Sequence, residues 1–336
     1  MTKVAINGLG RIGRCALKQL LDASDYEVVA VNDLVPSDNL AYLLRYDSVY
    51  GRYDKAVETK DDKLLIGGVE IPVYSKKDPE KLPWEKLGVE IVFECTGIFR
   101  KSEELQKHLR AGAKHVILSA PAKSDDVPTV VLGANEADEF PGIVSCASCT
   151  TNCITPVVEI LDRRIGVEKA TMTTIHAYTS TQGLVDGPAK RFRRGRAAAT
   201  NYIPTTTGAA EATAKCLPQF EGKFSGVAIR GPVACGSIAD IVCVTHKKTS
   251  PEEINDLFRE EARGERYNGI LGVSEDPLVS SDIIQDPRAS IVDLNETKVT
   301  DGNLVKVMSW YDNEWGYSAQ MVRYATAALR QPAGAT

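Results

Sequence analysis

The chain has 336 residues, a hydrophobic share of 43%, a charged share of 25% and a formal net charge of −5. This length favours two domains, and the composition is that of an ordinary globular protein. The acidic excess excludes a general attraction to nucleic acid or anionic membrane, so we do not expect either partner. With no apolar signal region or transmembrane run, we expect a cytoplasmic protein whose eight cysteines are reduced.

The first stretch of the chain has the pattern of a dinucleotide-binding fold. A short apolar strand, Lys3 to Asn7, leads into a Gly-x-Gly-x-x-Gly motif at residues 8–13, and a helical pattern continues from Arg11 to Leu21. A second strand, Tyr26 to Asn32, ends at Asp33. The glycines let the backbone approach a pyrophosphate at the helix N-terminus, and a carboxylate about 20 residues further on accepts from the ribose 2′-OH. Since Asp33 would repel the 2′-phosphate of NADP, the pattern predicts NAD.

The next part of the chain continues the alternation of strands and helices. A hairpin, a strand, a helix and two strands are predicted in that order over Leu64–Tyr74, Val89–Glu94, Lys101–Ala111, His115–Ser119 and Thr129–Leu132. Thr96 and Ser119 lie at or just after strand ends, where the ligands of open parallel sheets bind. Both are therefore candidate cofactor contacts, with ordinary turns between strand and helix as the alternative. The fold class is α/β, with an N-terminal doubly wound parallel sheet.

Three cysteines crowd the short stretch from Ser145 to Cys153. Ser148 can N-cap a helix, which places Cys149 in its first turn, where the helix dipole favours a thiolate. Cys149 is therefore the candidate nucleophile, and Cys153 is expected to pack. Cys146 and Cys149 have C-x-x-C spacing, which fits either a small packed side chain or a reversible disulfide. No metal is expected, because no second cysteine pair or histidine cluster offers the remaining ligands.

The second half of the chain predicts an α+β domain with a mixed or antiparallel sheet. Its strands and helices are predicted over Val167–Tyr178, Phe224–Arg230, Ser237–Thr245, Pro251–Ala262, Leu304–Trp310 and Glu314–Leu329. The first of these strands is expected to end near His176, and a lone histidine is by itself more often a packed or surface residue. The polar stretch from Thr179 to Tyr202 is expected to be a long loop, functional or at an interface, and residues 272–302 are expected to be rich in turns.

Four motifs resemble phosphorylating glyceraldehyde-3-phosphate dehydrogenases, and they lie in order along nearly the whole chain. They are the glycine motif at residues 6–14, the cysteine motif at 147–153, the threonine run at 205–210 and an aromatic motif at 310–317. The resemblance implies a homotetramer with a Rossmann domain over residues 1–148 and a catalytic domain over 149–314. It also implies that a C-terminal helix, residues 315–336, returns to complete the Rossmann domain.

The resemblance further implies a role for each matching residue. Cys149 would form a hemithioacetal and then a thioester with D-glyceraldehyde 3-phosphate, and His176 would be the base. Inorganic phosphate would release 1,3-bisphosphoglycerate. The two anion sites match Ser148, Thr150, Thr179, Arg194, Thr207, Gly208 and Arg230. The NAD contacts match Gly8, Gly10, Arg11, Ile12, Gly13, Asp33, Lys77, Thr96, Ser119 and Asn313.

Two departures from the family pattern bear on function. Cys146 replaces the usual Asn, and residues 231–237 replace the usual Val-Pro-Thr-x-Asn-Val-Ser run, which bears on substrate affinity and tetramer strength. Two alternatives follow from the same residues: an erythrose-4-phosphate dehydrogenase, which would release its thioester to water, or a nucleotide-binding regulatory protein without catalysis. The intact run at residues 205–208 favours a phosphate site over the first. The second is opposed by the joint presence of Cys149, His176, Arg194 and Arg230.

Overall fold

A computed structural model describes residues 1–135 and 141–330 of the chain and divides them into two units. The first unit comprises residues 1–130, 141–147 and 321–330, and the second comprises residues 131–135 and 148–320. Residues 131–135, Ser148 and residues 315–320 were predicted to belong to the first domain and group with the second unit. The predicted helix over 315–336 ends at Arg330 in the described part, and residues 331–336 lie outside it.

The first unit is built around a parallel sheet with helices along its connections. Its strands and helices are β1 (Thr2–Asn7), α1 (Arg11–Asp22), β2 (Tyr26–Asn32), α2 (Ser37–Arg45), β3 (Tyr46–Asp47), β4 (Gly51–Arg52), β5 (Val57–Lys60), β6 (Lys63–Ile66), β7 (Val69–Tyr74), α3 (Trp84–Leu87), β8 (Ile91–Glu94), α4 (Ser102–Arg110), β9 (His115–Leu118) and β10 (Ile143–Ser145). A 3₁₀ turn at Pro79–Lys81 precedes α3.

The main sheet of this unit has the order β10-β9-β8-β1-β2-β7-β6-β5. Pairing is parallel from β10 to β7, and β5 and β6 add antiparallel strands at one edge. The chain runs outward from β1 to β2 and β7, then crosses to β8, β9 and β10 on the other side. The neighbouring strands β1 and β8 therefore form the topological switch point, where doubly wound sheets bind ligands. The predicted Rossmann fold is confirmed.

The core of this sheet follows from its composition. Val4, Ala5 and Ile6 of β1 and Val92 and Phe93 of β8 are fully buried, as expected for parallel strands covered on both faces.

The predicted strand over Thr129–Leu132 is wrong. Thr129 makes a single bridge to Ser145, and β10, which the sequence analysis missed, forms the sheet edge. The segment cannot extend the ladder, because Pro128 lacks an N–H and Gly133 turns the chain at a φ of 77°.

The second unit places one long helix against a mixed sheet. Its elements are α5 (Cys149–Ile165), β11 (Val167–Ala177), β12 (Ile203–Thr206), α6 (Ala209–Cys216), β13 (Phe224–Gly231), β14 (Ser237–Thr245), α7 (Pro251–Arg263), β15 (Leu271–Ser274), β16 (Ser290–Thr300), β17 (Leu304–Tyr311) and α8 (Trp315–Arg330), whose residues from Met321 onward belong to the first unit. Short 3₁₀ turns lie at Phe192–Gly195, Pro218–Phe220 and Glu265–Tyr267.

The sheet of this unit has the order β12-β13-β11-β14-β17-β16-β15. The central strand β11 pairs in parallel with β13 and antiparallel with β14, so the predicted mixed sheet is confirmed. Residues 272–302, which were expected to be rich in turns, also contain the eleven-residue strand β16, which was not predicted. The pairing of β16 with β17 is irregular between Asp293 and Lys298. This irregularity disrupts the alternation of apolar and polar residues by which a strand is recognised in a sequence. Within the described residues, no helix has the length and apolar character needed to cross a membrane.

Candidate active site

The thiol of Cys149 lies in the first turn of α5, as predicted. The side chain of Ser148 accepts a hydrogen bond from the Thr151 N–H at 3.1 Å, which makes it the N-cap. Ala147, directly before it, has a φ of 54°, a left-handed conformation that costs a residue with a Cβ roughly 1–2 kcal/mol. The helix α5 is buried from Thr150 to Leu161, which is most of its length. The packing of this helix therefore holds Cys149 in place.

The imidazole of His176 faces this thiol from the end of the central strand. Its Nε2 lies 3.4 Å from Sγ of Cys149, and the residue is 4% exposed. The register of β11 and β13 pairs His176 with Arg230. Nδ1 of His176 donates to the Ala177 carbonyl at 2.7 Å, so Nε2 is the acceptor that faces the thiol. Nη1 of Arg230 donates to the same carbonyl at 2.9 Å and lies 2.7 Å from Nδ1. Three residues that are far apart in sequence thus form one continuous arrangement.

Burial and charge set the protonation states of this pair. Burial, followed by the charge of Arg230, lowers the pKa of His176 to about 3, so the imidazole is neutral at physiological pH. Burial also raises the pKa of the Cys149 thiol, although Arg230 and the Thr150 N–H oppose this rise. The helix dipole favours a thiolate at Cys149, whereas burial opposes a charge on either group of the pair.

Tyr311 is a residue of this site that the sequence analysis quoted in a motif but gave no role. Its hydroxyl bonds to the Thr150 hydroxyl at 2.9 Å and to the Thr174 hydroxyl at 2.8 Å. Its ring meets the His176 ring edge-on, with centroids 5.9 Å apart. Tyr311 therefore ties the first turn of α5 to β11, the two elements that carry the thiol and the imidazole. The residue lies in an alternating strand, and nothing in its sequence context distinguishes it from a packed aromatic.

Replacing Tyr311 with Phe is expected to lower kcat about tenfold, because the thiol and imidazole lose their common anchor and two buried hydroxyls lose a partner. Stability should fall by about 1–3 kcal/mol for the same reason. Steady-state kinetics and denaturant unfolding measure the two effects. Tyr267→Phe is the matched control, because the buried hydroxyl of Tyr267 bonds Glu159 away from the thiol and its loss should affect stability alone. Equal kcat values for both variants would show that Tyr311 has no positioning role.

Arg194 and Arg230 supply the two guanidinium groups of the predicted anion sites. Arg194 donates to the Thr205 hydroxyl at 3.0 Å and to the Thr181 hydroxyl at 3.4 Å, and Thr181 in turn bonds Thr179 at 3.0 Å. In residues 1–135 and 141–330, no carboxylate forms an ion pair with Arg194 or Arg230. Burial and the charge of Arg230 lower the pKa of Arg194. Two cations close enough to destabilise each other favour an anion between them.

The remaining predicted phosphate ligands are placed differently. The Thr207 hydroxyl accepts from the Ala209 N–H at 3.2 Å, next to Gly208, which precedes α6. Ser148 and Thr150 have their hydroxyls engaged in the N-cap and with Tyr311, respectively. Only backbone N–H groups or a second hydrogen bond would remain for an anion at these two residues.

The predicted dinucleotide residues of the first unit lie at the carboxyl ends of parallel strands. Gly8 has a φ of 92°, a Cβ on Gly13 would lie 1.9 Å from the Gly8 carbonyl, and a Cβ on Gly10 would meet nothing within 4 Å. The turn is therefore closely packed at Gly8 and Gly13 and open at Gly10, which fits a pyrophosphate at the start of α1. Ile12 lies in the first turn of α1, and Lys77, Thr96 and Ser119 follow β7, β8 and β9.

The side chains around this turn are partly engaged. The Asp33 carboxylate accepts from the Leu9 N–H at 2.7 Å and from the Val35 N–H at 3.0 Å. The Arg11 guanidinium pairs with Asp47 at 2.5 Å, so the backbone of Arg11 rather than its side chain is the part suited to a phosphate. A carboxylate has about four acceptor sites, which leaves Asp33 able to accept from a ribose hydroxyl as well.

Asn313, in the second unit, is held by the segment that departs from the family pattern. Its Oδ1 accepts from the Gly236 N–H at 3.1 Å and from the Ser237 hydroxyl at 2.9 Å. Because both bonds go to Oδ1, they fix the orientation of the amide, and Nδ2 is the side of the amide that can donate. Gly236 has a φ of 89°, and a Cβ there would lie 2.2 Å from the Ser280 carbonyl, so the unusual glycine is required by the local geometry.

The other two cysteines between Ser145 and Cys153 differ from Cys149. Cys153 is fully buried, with its sulfur 3.8 Å from the Ser290 hydroxyl, as expected of a packed residue. Burial raises the pKa of the Cys146 thiol to about 12. All eight cysteines are free thiols, and the reversible disulfide of Cys146 stays a prediction. In the described part of the chain, no cluster of three or more His, Cys, Asp or Glu side chains could hold a metal ion.

Comparisons with known proteins agree with this geometry. Residues 2–102 match the family model of the glyceraldehyde 3-phosphate dehydrogenase NAD binding domain, and residues 148–313 match that of the C-terminal domain. Curated glyceraldehyde-3-phosphate dehydrogenases are similar over almost their whole length. The chain is 48% identical to that of Geobacillus stearothermophilus over 96% of this chain and 97% of the relative. It is 46% identical to that of Clostridium pasteurianum over the same shares of the two chains.

Proposed function

This chain belongs to the glyceraldehyde-3-phosphate dehydrogenase family, and from that premise we propose that it converts D-glyceraldehyde 3-phosphate, NAD and inorganic phosphate to 1,3-bisphosphoglycerate and NADH. The observation that carries this proposal is the 3.4 Å separation of the Cys149 sulfur and the His176 Nε2, beside the cationic Arg230. A nucleophile, a base and an anion site adjoin one another, as acyl transfer through a thioester requires.

The first step joins the substrate to the enzyme. The neutral His176 takes the thiol proton as the Cys149 sulfur adds to the aldehyde carbon, and the proton passes to the carbonyl oxygen to give a hemithioacetal. The low pKa of the imidazole makes its protonation transient, so the proton moves on readily. The N–H groups at the start of α5 stabilise the negative charge on the sulfur.

The second step is oxidation, and the third is phosphorolysis. NAD supplies the acceptor for the hydride that leaves the hemithioacetal carbon. His176 takes the hydroxyl proton at the same time, which leaves a thioester on Cys149 and a proton that passes to solvent. Inorganic phosphate then attacks the thioester carbon, the Cys149 thiolate leaves and regains a proton, and the acyl phosphate is released.

Two phosphates have to be bound, that of the substrate and the incoming inorganic phosphate. We assign Arg230, Arg194 and Thr179 to these two anions together. Further donors to them are Ser148, Thr150, Thr207 and Gly208. In support, Arg194 and Arg230 are cations outside every ion pair of the described residues, and the buried Nε of Arg230 has no hydrogen-bond partner there. A dianion would satisfy both features.

The cofactor assignment follows the same reasoning. Gly8, Gly10, Arg11, Ile12 and Gly13 would hold the pyrophosphate, and Asp33 the adenosine ribose. Lys77, Thr96, Ser119 and Asn313 would make the remaining contacts, with Nδ2 of Asn313 donating to the nicotinamide carboxamide. A homotetrameric, cytoplasmic enzyme completes the proposal, in line with the family.

Phosphate dependence tests this function. NADH formation from glyceraldehyde 3-phosphate should require phosphate or arsenate and show at most a small burst without either. A rate that does not depend on phosphate would instead favour thioester hydrolysis, as in an erythrose-4-phosphate dehydrogenase. No turnover at all with NAD, substrate and phosphate would overturn the proposal.

A further inference from the structure

A fully buried carboxylate lies at the switch point of the first unit, and the proposed mechanism does not use it. Glu94, the last residue of β8, is 0% exposed and lies opposite Asn7, the last residue of β1. Its two oxygens accept from the Asn7 amide at 2.6 Å, from the Thr96 N–H at 2.8 Å, from the Thr96 hydroxyl and from His108 at 3.1 Å. Four donors satisfy a carboxylate, so its burial is compensated only while all four stay in place.

The hydrogen bond from Trp84 determines which nitrogen of His108 carries a proton. The Trp84 indole N–H, which can only donate, lies 3.0 Å from Nδ1 of His108. Nδ1 is therefore an acceptor, and the ring proton is on Nε2, facing Glu94. The side chains of His108 and Glu94 are both fully buried. The negative charge of Glu94 is thus held by neutral donors.

The same network continues across the ends of the neighbouring strands. Oδ1 of Asn7 accepts from the Asn32 amide at 2.7 Å. The Asn32 side chain then bonds both the N–H of Lys76 at 2.8 Å and its carbonyl at 3.0 Å. One layer of side chains therefore connects the carboxyl ends of β8, β1 and β2 with the segment after β7.

The network lies directly beneath the turns assigned to the dinucleotide. The turns after β1 and β8 touch closely, since a Cβ on Gly8 would lie 2.8 Å from the Thr96 nitrogen. Thr96 is held by Glu94 through both its backbone and its hydroxyl. A shift of Thr96 would therefore move the glycine turn as well.

We propose that Glu94 is a positioning residue for dinucleotide binding. Its carboxylate holds the Thr96 turn directly. Through Asn7 and Asn32 it also fixes the turns after β1, β2 and β7, so that all four turns keep the geometry that binds the dinucleotide. This inference rests on the dinucleotide binding proposed above and deepens it. The thiol chemistry at Cys149 does not depend on this network.

The test is the affinity of the full chain for NAD, measured by calorimetric titration. A Glu94→Gln variant places an NH₂ group against donors and leaves some of them unsatisfied, so the Kd for NAD should rise about tenfold. At saturating NAD, kcat should stay within about twofold, and alkylation of Cys149 without NAD should be unchanged. His108→Leu removes one donor and should also raise the Kd. His108→Gln, which can keep both bonds of the ring, should stay near the parent.

Glu159→Gln is the matched control. Glu159 is a buried carboxylate of the second unit that accepts from Tyr267 at 2.5 Å and from Arg163 at 2.8 Å. Its replacement should lower stability without changing the Kd for NAD. Parental affinity in both Glu94→Gln and His108→Leu would overturn the inference, as would an equal rise in Kd for Glu159→Gln. Failure of the parent itself to bind NAD would instead overturn the proposed function.

Discussion

Replacing Cys149 with Ser is expected to lower kcat for NADH formation by at least about 10⁴-fold while the protein stays folded. A hydroxyl ionises far less readily than a thiol and gives a poorer leaving group in the last step, so both formation and phosphorolysis of the acyl-enzyme slow down. The structure offers no substitute in this position, because Cys153 of the same helix is fully buried. Steady-state kinetics measures the loss, and mass spectrometry after incubation with substrate and NAD should detect an acyl adduct only on the parent.

Cys153→Ala is the matched control for this variant. It removes a sulfur from the same helix, one turn beyond Cys149, and leaves the thiol facing His176 untouched. A small buried cavity should cost about 1 kcal/mol of stability and little activity. If Cys149→Ser kept a rate comparable with Cys153→Ala, the nucleophile would have to be another residue.

Replacing His176 with Asn should lower kcat by about 10²–10⁴-fold, the range that a positioned base contributes. Asn can fill the space and donate a hydrogen bond, but it cannot accept the thiol proton. The pH dependence gives a sharper readout. Because the pKa of His176 is lowered to about 3, the base form is fully present from pH 5 to 8 and is lost only as the pH falls toward 3. The ratio of parent to variant kcat should therefore be constant over this window.

An exposed histidine supplies the control for this second prediction. His246→Asn, which changes a solvent-facing ring of the same unit, should keep the parental kcat at every pH. An acid limb near pH 6.5 that is present in the parent and absent from His176→Asn would contradict the neutral pair. It would mean that the imidazole gains a proton in the working range, as a thiolate–imidazolium pair requires.

Much of the fold could be predicted because its signals are local. The glycine turn at residues 8–13, the hairpin over β6 and β7 and the N-cap at Ser148 each depend on backbone chemistry within a few residues. The edge strand β10 and the irregular strand β16 were missed for the opposite reason. Each lacks a clear alternation of apolar and polar residues. Each forms a strand because a neighbouring strand pairs with it.

The sequence by itself determined the glycine turn at residues 8–13, the place of Cys149 at a helix start and the candidate role of Asp33, which follow from residue types at fixed spacing. The candidate role of His176 followed from the family resemblance. Only the tertiary structure decided that Arg230 lies against the His176 ring, that Tyr311 joins α5 to β11 and that Glu94 is buried among four donors. Such contacts depend on strand register and burial, which bring together residues that are distant in the chain. Desolvation likewise arises only on folding, and it opposes charge on the Cys149–His176 pair, whereas the local helix dipole alone favours a thiolate.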